Sequence, residues 1–200
     1  MRSAELLAAS WTELSLHWGL SADIGRDLLA RYAEPQRVFH TAEHLAQVLA
    51  LLRYCDADPR LQLAAWFHDA VYVPGRSDNE ARSAALADRR LAESGATRAC
   101  RDAVCAAVLA TAGHASPLPE VAPLLDADLA ILGAAPAEYA AYRRAIRREF
   151  ASVPAALFAR GRAAFLRAAL ARERLYATPW GHARFEAAAR RNLAAELAEQ

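Results

Sequence analysis

The stretch W-F-H-D-A-V-Y, residues 66–72, sets His68 and Asp69 side by side in an apolar run that we predict to be helical. An imidazole and a carboxylate are costly to bury among leucine, tryptophan and phenylalanine side chains unless another group satisfies both of them. A divalent metal ion would do so. A buried hydrogen bond between the two side chains, with no metal, is the alternative.

Two other segments offer further metal ligands. His40 and His44 are four residues apart, so on a helix their side chains stack on one face, although surface or capping positions would also explain them. Asp126 and Asp128 lie in the apolar run P-L-L-D-A-D-L-A-I-L, residues 123–132, where an unpaired carboxylate is costly. Two residues apart, they do not share a helix face. We predict that Asp128 is the ligand and leave open whether Asp126 binds directly, caps a helix or hydrogen-bonds to the site.

These segments predict one metal site assembled from three helices. From the residues alone, its expected ligands are one or both of His40 and His44 together with His68, Asp69 and Asp128. Two imidazoles with two carboxylates suit one or two ions of Mn, Fe, Co, Ni, Zn or Mg. Such an ion lowers the pKa of bound water and polarises a phosphoryl oxygen. Residues 40–44 also match H-x-x-E-H, an inverted zinc-peptidase signature, but that alternative makes no use of the other ligands.

The periodicity of apolar residues indicates an all-α protein. A repeat of 3.6 residues dominates, and alternation with period two is hard to find. We predict helices at about 3–18, 22–33, 41–55, 59–70, 79–94, 97–112, 120–132, 136–150, 155–176 and 179–198. Because no linker or shift of composition divides the chain, we expect one helical bundle with an internal polar pocket.

Composition excludes several classes of partner. All 24 cationic residues are arginine, yet the net charge is only +1, so we expect no nucleic-acid polymer as partner. No apolar run approaches the ~20 residues that span a bilayer, and the first residues do not resemble a signal peptide. Three cysteines, an odd number, favour reduced thiols. The sequence therefore predicts a cytoplasmic protein that is not bound to a membrane.

Four motifs resemble those of the HD-domain superfamily of metal-dependent phosphohydrolases. They are R-V-F-H-T-A-E-H-L (37–45), F-H-D-A-V-Y-V-P (67–74), S-D-N-E-A-R-S-A (77–84) and L-D-A-D-L-A-I-L-G (125–133). With their H…HD…D pattern they are similar to a bacterial subgroup described as predicted metal-dependent HD phosphohydrolases. The resemblance implies that the metal ligands are His44, His68, Asp69 and Asp128. The resemblance implies one all-α HD-type domain over residues 1–200. It also implies hydrolysis of a small phosphate ester, with a nucleotide as one candidate substrate.

Three residues are candidates for catalytic roles. Asp69 would orient the attacking water or bridge a second ion. The resemblance implies that Glu80 lines the pocket as an acid or base, although Ser77 and Glu80 are also spaced as a helix capping box. His114, at a predicted helix end, would complete a second metal position or hold the phosphate, unless it only caps the helix.

Five residues are candidates for binding the substrate: Arg37, His40, Asp78, Asn79 and Arg147. Either arginine could bind a phosphate with two hydrogen bonds, although solvation at the surface would also explain it. His40 could instead support a second metal ion. The resemblance implies that Asp78 and Asn79 line the pocket.

Two other functions remain open at this point. A helical scaffold with these ligands also suits an iron-dependent oxygenase, and a non-catalytic module could keep the pocket to sense a nucleotide. The sequence does not identify the substrate, the number of ions or the oligomeric state.

Overall fold

The regular elements of the protein are all helices, as the sequence predicts. The computed structural model describes residues 3–116 and 118–199, and no strand occurs in those ranges. The helices are α1 (Ser3–Trp18), α2 (Ala22–Tyr32), α3 (Ala42–Tyr54), α4 (Pro59–Phe67), α5 (Asn79–Glu93), α6 (Arg98–Ala110), α7 (Ala122–Asp128), α8 (Pro136–Glu149), α9 (Ala155–Ala171) and α10 (Pro179–Ala198). Short 3₁₀ segments at Pro119–Val121 and Leu129–Gly133 flank α7, where the sequence predicts one continuous helix.

Several helices begin where the sequence carries a capping residue. Asp58 accepts a hydrogen bond from the backbone N–H of Arg60, with a proline at the first helical position of α4. Thr178 caps α10 in the same way by accepting from the N–H of Gly181. Such side chains satisfy backbone donors that have no partner within the helix.

The core consists of two clusters, and α4 lies at the centre of the first. Trp66 and Phe67 of α4 are fully buried, and the ring of Trp66 meets that of Trp11 edge-on at 4.9 Å. The second cluster joins Leu129–Gly133 to α8, α9 and α10. Burying one such large side chain stabilises the fold by about 1.5–3 kcal/mol. Residues of the second cluster line a cavity beside the predicted site.

Helix α4 ends at Phe67, three residues before the predicted end. The guanidinium of Arg37 donates hydrogen bonds to the carbonyl oxygens of Asp69 and Ala70, at 2.8 and 3.5 Å. These carbonyls are therefore satisfied by a side chain from another part of the chain. As a result His68 and Asp69 lie at the end of the helix, and not within it as the sequence predicts.

Helix α9 is also shorter than predicted, since it ends at Ala171 rather than near residue 176. The backbone N–H groups of Leu175 and Tyr176 donate to the carboxylate of Glu186 on α10. Arg190, one turn further along α10, donates to the carbonyl oxygen of Arg172. Contacts to α10 thus replace the helical hydrogen bonds of this segment.

None of the ten helices in the described ranges has both the length and the apolar character needed to cross a bilayer. The three cysteines are free thiols, of which Cys100 is buried and the other two are half-buried.

Candidate metal centre

The predicted ligands come from three helices that pack on one another. His44 lies in the first turn of α3, His68 follows the last residue of α4, and Asp128 ends α7. Helix α3 contacts both α4 and α7, which brings these helix ends together. Both histidines are buried, and the side chain of Asp128 is only 11% exposed.

The distances among these side chains fit a shared cation. Nε2 of His44 lies 3.0 Å from Oδ1 of Asp128 and 3.4 Å from Nε2 of His68, and the last nitrogen lies 3.6 Å from the same Oδ1. Two ligands bound about 2.1 Å from one ion are about 3.0 Å apart at a right angle and about 3.4 Å apart at a tetrahedral angle. His44, His68 and Asp128 could therefore hold a metal ion.

Asp69 approaches this group from one side. Its Oδ2 lies 3.0 Å from Nε2 of His68 and 3.9 Å from Nε2 of His44. That oxygen is buried, but it accepts no hydrogen bond within the described residues. A buried carboxylate oxygen without a donor is costly, and a cation between the side chains would satisfy it.

The ring of His68 is oriented for metal binding. Its Nδ1 lies 2.7 Å from the carbonyl oxygen of Ala65, which can only accept a hydrogen bond, so Nδ1 carries a proton. Nε2 is then the ring nitrogen that faces the cluster. Burial lowers the pKa of His68, but the charge of Asp69 raises it well above its ordinary value, so a metal ion would replace the proton on Nε2. Histidine ligands of metal sites usually donate their other N–H in this way.

The two carboxyl groups are held in the ionised form. Burial raises the pKa of Asp128, but hydrogen bonds from His114, His44 and His68 lower it by more, so that pKa lies well below its ordinary value. Burial likewise opposes the charge of Asp69, and the nearby His68 lowers its pKa strongly. Ionised carboxylates are the form that binds cations.

His114 contacts the centre through Asp128 rather than capping a helix. Its Nε2 lies 3.0 Å from Oδ2 of Asp128. The residue has a φ of 45°, in the left-handed region that few non-glycine residues adopt. Arg172 stabilises this conformation by donating to the carbonyl oxygen of His114 at 2.9 Å.

Glu149, which is not among the residues predicted from the sequence, organises the other side of the centre. Its Oε1 accepts the backbone N–H groups of Val38, Phe39 and His40 at 2.7 to 2.9 Å. Its Oε2 accepts from His40 at 2.7 Å and from the hydroxyl of Tyr72 at 3.1 Å. Burial raises the pKa of Glu149, but the hydrogen bond from His40 and the charge on that ring bring the pKa down to about 2. The one sequence signal was a carboxylate in an otherwise arginine-rich run.

A cavity of about 580 Å³ opens beside the centre. Six of the residues predicted to serve the site line it: His40, Asp69, Asn79, Glu80, His114 and Asp128. The alternative of a capping box formed by Ser77 and Glu80 does not apply, because α5 begins at Asn79 with Asp78 as its N-cap residue. Glu80 forms no hydrogen bond or ion pair with any described residue, and its carboxylate is free to meet a ligand.

The remaining predicted residues do not line this cavity. The buried guanidinium of Arg37 is occupied by backbone carbonyls, and that of Arg147 donates to the carbonyl oxygen of Phe150 at 2.7 Å. Asp78 pairs with Arg76. Asp126 accepts from the backbone N–H groups of Ala177 and Thr178, so it ties α7 to the start of α10, as expected for a structural role.

The zinc-peptidase alternative has no support in this geometry. Glu43, the glutamate of the H-x-x-E-H match, is exposed and accepts a hydrogen bond from Ser3. His40, its first histidine, is engaged by Glu149. Neither residue is placed as that signature requires.

The centre is thus built from two imidazoles and two carboxylates beside a large cavity. In comparisons with protein-family models, curated proteins and solved structures, the chain matches none.

Proposed function

We propose that the protein is a metal-dependent phosphohydrolase of the HD type, which cleaves a phosphate ester with metal-activated water. The observation that carries this proposal is the convergence of His44, His68 and Asp128 within 4.8 Å of one another. The unsatisfied Oδ2 of Asp69 at the edge of this group supports its role as a fourth ligand.

The donor set matches the chemistry. An ion held by two imidazoles and two carboxylates supplies a water of lowered pKa and a positive charge for a phosphoryl oxygen. His68 directs its Nε2 at the centre because its other nitrogen donates to the carbonyl oxygen of Ala65. His114 fixes the orientation of Asp128 through Oδ2 and leaves Oδ1 directed at the two histidines. The acids of residues 69 and 128 also offer acceptors that can orient a water.

Glu80 is our candidate for proton transfer. Its carboxyl group lines the same cavity and has no protein partner among the described residues. A carboxyl group in that position can give a proton to the leaving oxygen of an ester. His40 lines the cavity too, and Glu149 holds its ring in place at 2.7 Å.

Phosphate release tests the proposal. The purified protein is stripped with a chelator, reloaded separately with Mn²⁺, Co²⁺, Ni²⁺, Fe²⁺, Zn²⁺ or Mg²⁺, and assayed with nucleotides and simple esters. We expect release with at least one ion and its loss in His68→Ala and Asp69→Ala. The exposed residues His17 and Asp102 provide matched controls, and His17→Ala and Asp102→Ala should retain full activity.

Three results would contradict the proposal. The first is release that needs no metal or survives both site variants. The second is oxygen consumption with a di-iron spectrum and no release of phosphate, which would indicate an oxygenase. The third is stabilisation by a nucleotide without any turnover, which would indicate a sensing module.

A further inference from the structure

One wall of the cavity is apolar and aromatic. Beyond the metal ligands, the lining side chains come mainly from α8, α9 and the segments next to them. They include Phe39, Leu132, Tyr142, Phe150, Phe158 and Phe165. A volume of about 580 Å³ is far more than a phosphate group needs, and it lies in the range of pockets that enclose a complete small molecule.

The two arginines that line the described part of the cavity offer little free positive charge for additional phosphates. Arg162 lines it, but Nε and Nη2 of this guanidinium donate to Glu196 at 2.8 and 2.9 Å, and Nη1 donates to Tyr142. Arg76, the other arginine of the described lining, forms two hydrogen bonds of 2.7 Å with Asp78. Both arginines are therefore neutralised by carboxylates before a ligand arrives.

Negative groups, in contrast, face the cavity directly. The carboxylates of Asp69, Glu80 and Asp128 line it. Asp69 and Asp128 lie within 3.0 Å of histidine nitrogens and belong to the centre, whereas the carboxylate of Glu80 has no partner among the described residues. A phosphate group placed next to Glu80 would meet repulsion between like charges. A ligand with a second phosphate group beyond the centre is therefore disfavoured.

We propose that the substrate is a phosphate monoester with a bulky apolar body, either an aromatic ring system or an alkyl chain, and not a polyphosphate or a small polar ester. This inference rests on the proposed function, because the phosphoryl group is assigned to the metal centre. The apolar wall contributes affinity through the area that it removes from water.

Gly161 provides a way to fill the apolar part of the cavity. It lies in α9 and lines the cavity, and a Cβ placed on it meets no atom within 4 Å. A phenylalanine at this position has room to extend into the cavity without a clash at its Cβ. Gly161→Ala is the matched control, because alanine changes the helix in the same way but adds a single methyl group.

The test is calorimetric titration of the Mn²⁺-loaded protein with non-hydrolysable phosphonates. The probes are methyl-, phenyl- and octylphosphonate together with methylenediphosphonate. We expect phenyl- or octylphosphonate to bind at least about tenfold more tightly than the methyl compound, since each buried methylene adds affinity. Comparison of the phenyl and octyl compounds distinguishes a ring from a chain.

Gly161→Phe should lose at least about tenfold in affinity for the bulky probe and keep its affinity for methylphosphonate. Gly161→Ala should bind all the probes with the affinity of the wild type.

The inference is overturned if no phosphonate binds, or if methylenediphosphonate binds most tightly. It is also overturned if neither the ring nor the chain changes the affinity relative to methylphosphonate, or if Gly161→Phe binds the bulky probe as tightly as the wild type does. These outcomes are separate from failure of the proposed function. A protein that releases no phosphate but binds octylphosphonate in a Gly161-dependent manner would retain the apolar chamber and lose only the hydrolase assignment.

Discussion

The Nε2 atoms of His44 and His68 lie 3.4 Å apart in a buried site. Because Nδ1 of His68 donates to the carbonyl oxygen of Ala65, Nε2 is the nitrogen of this ring that faces His44 and can bind a metal ion. Two ring nitrogens and two carboxylates turned toward one point need positive charge among them, either a proton on an imidazole or a metal ion that replaces it. The arrangement explains why a metal ion should stabilise the folded protein.

Addition of metal should raise the thermal stability of the chelator-treated protein. At a free ion concentration 100 times the Kd, binding adds about 2.7 kcal/mol to the free energy of unfolding. For a chain of this size we expect a rise in Tm of about 5–10 °C. Scanning calorimetry with Mn²⁺ or Zn²⁺ measures it. Asp128→Ala should show no rise, and a rise equal to that of the wild type would contradict the ligand assignment.

The two aspartates of α7 should separate metal binding from stability. Asp126→Ala removes the acceptor of the N–H groups of Ala177 and Thr178, which should lower the free energy of unfolding by about 2 kcal/mol while metal binding persists. Asp128→Ala should abolish metal binding. Urea unfolding and metal titration of both variants check this. Loss of the metal in the Asp126 variant alone would reverse the assignment.

Replacement of Glu149 should destabilise the protein. Glu149→Gln loses the charge that three backbone N–H groups and His40 share, and we expect a loss of about 2 kcal/mol in urea unfolding. Glu138→Ala, an exposed substitution on the same helix, should change stability by less than about 0.5 kcal/mol. Equal effects of the two substitutions would show that the Glu149 contacts contribute little.

The contribution of Glu149 should also depend on pH. Its pKa of about 2 in the folded protein lies below the ordinary value of 4.5, so the folded state binds the proton less readily than the unfolded state does. The stability that its charge contributes is therefore complete above the unfolded pKa and is lost as the pH falls from about 4.5 toward 2. The difference between wild type and Glu149→Gln in unfolding free energy should shrink over that interval. A difference that stays constant would argue against a charge effect.

His114→Asn should weaken metal binding without unfolding the protein. Asparagine tolerates the left-handed backbone conformation that His114 adopts, but it removes the ring nitrogen that contacts Asp128 at 3.0 Å. Loss of a group that orients a metal ligand usually costs about 10–100-fold in metal affinity. Competition with a chelating dye measures this affinity. Unchanged affinity together with unchanged Tm would show that His114 does not support the centre.

Local patterns in the sequence predict most of the fold. The start of α4 follows from Asp58 and the adjacent proline, and the start of α10 from Thr178 and the proline that follows it. The all-α class follows from the repeat of apolar residues. The end of α4 does not follow from a local pattern. It depends on Arg37, which donates to the carbonyl oxygen of Asp69, 32 positions later in the chain. Local preferences carry no information about such a contact.

The sequence predicts part of the candidate site but not all of it. Buried polar residues in apolar surroundings identify His68 and Asp128, since burial of such groups is costly. Glu149 is different, because an acidic residue beside arginines resembles a solvated helix face. Its partners lie 109 to 111 residues away in the chain. Only the contact between the end of α8 and residues 38–40, which precede α3, reveals its role.

Anomalous diffraction from crystals grown with Mn²⁺ tests the central claim most directly. We expect one strong anomalous peak within about 2.0–2.3 Å of Nε2 of His44, Nε2 of His68 and a carboxylate oxygen of Asp128, with Oδ2 of Asp69 at its edge. No peak at this point, with the four side chains joined to one another by ordinary hydrogen bonds, would contradict the metal centre and the hydrolase built on it.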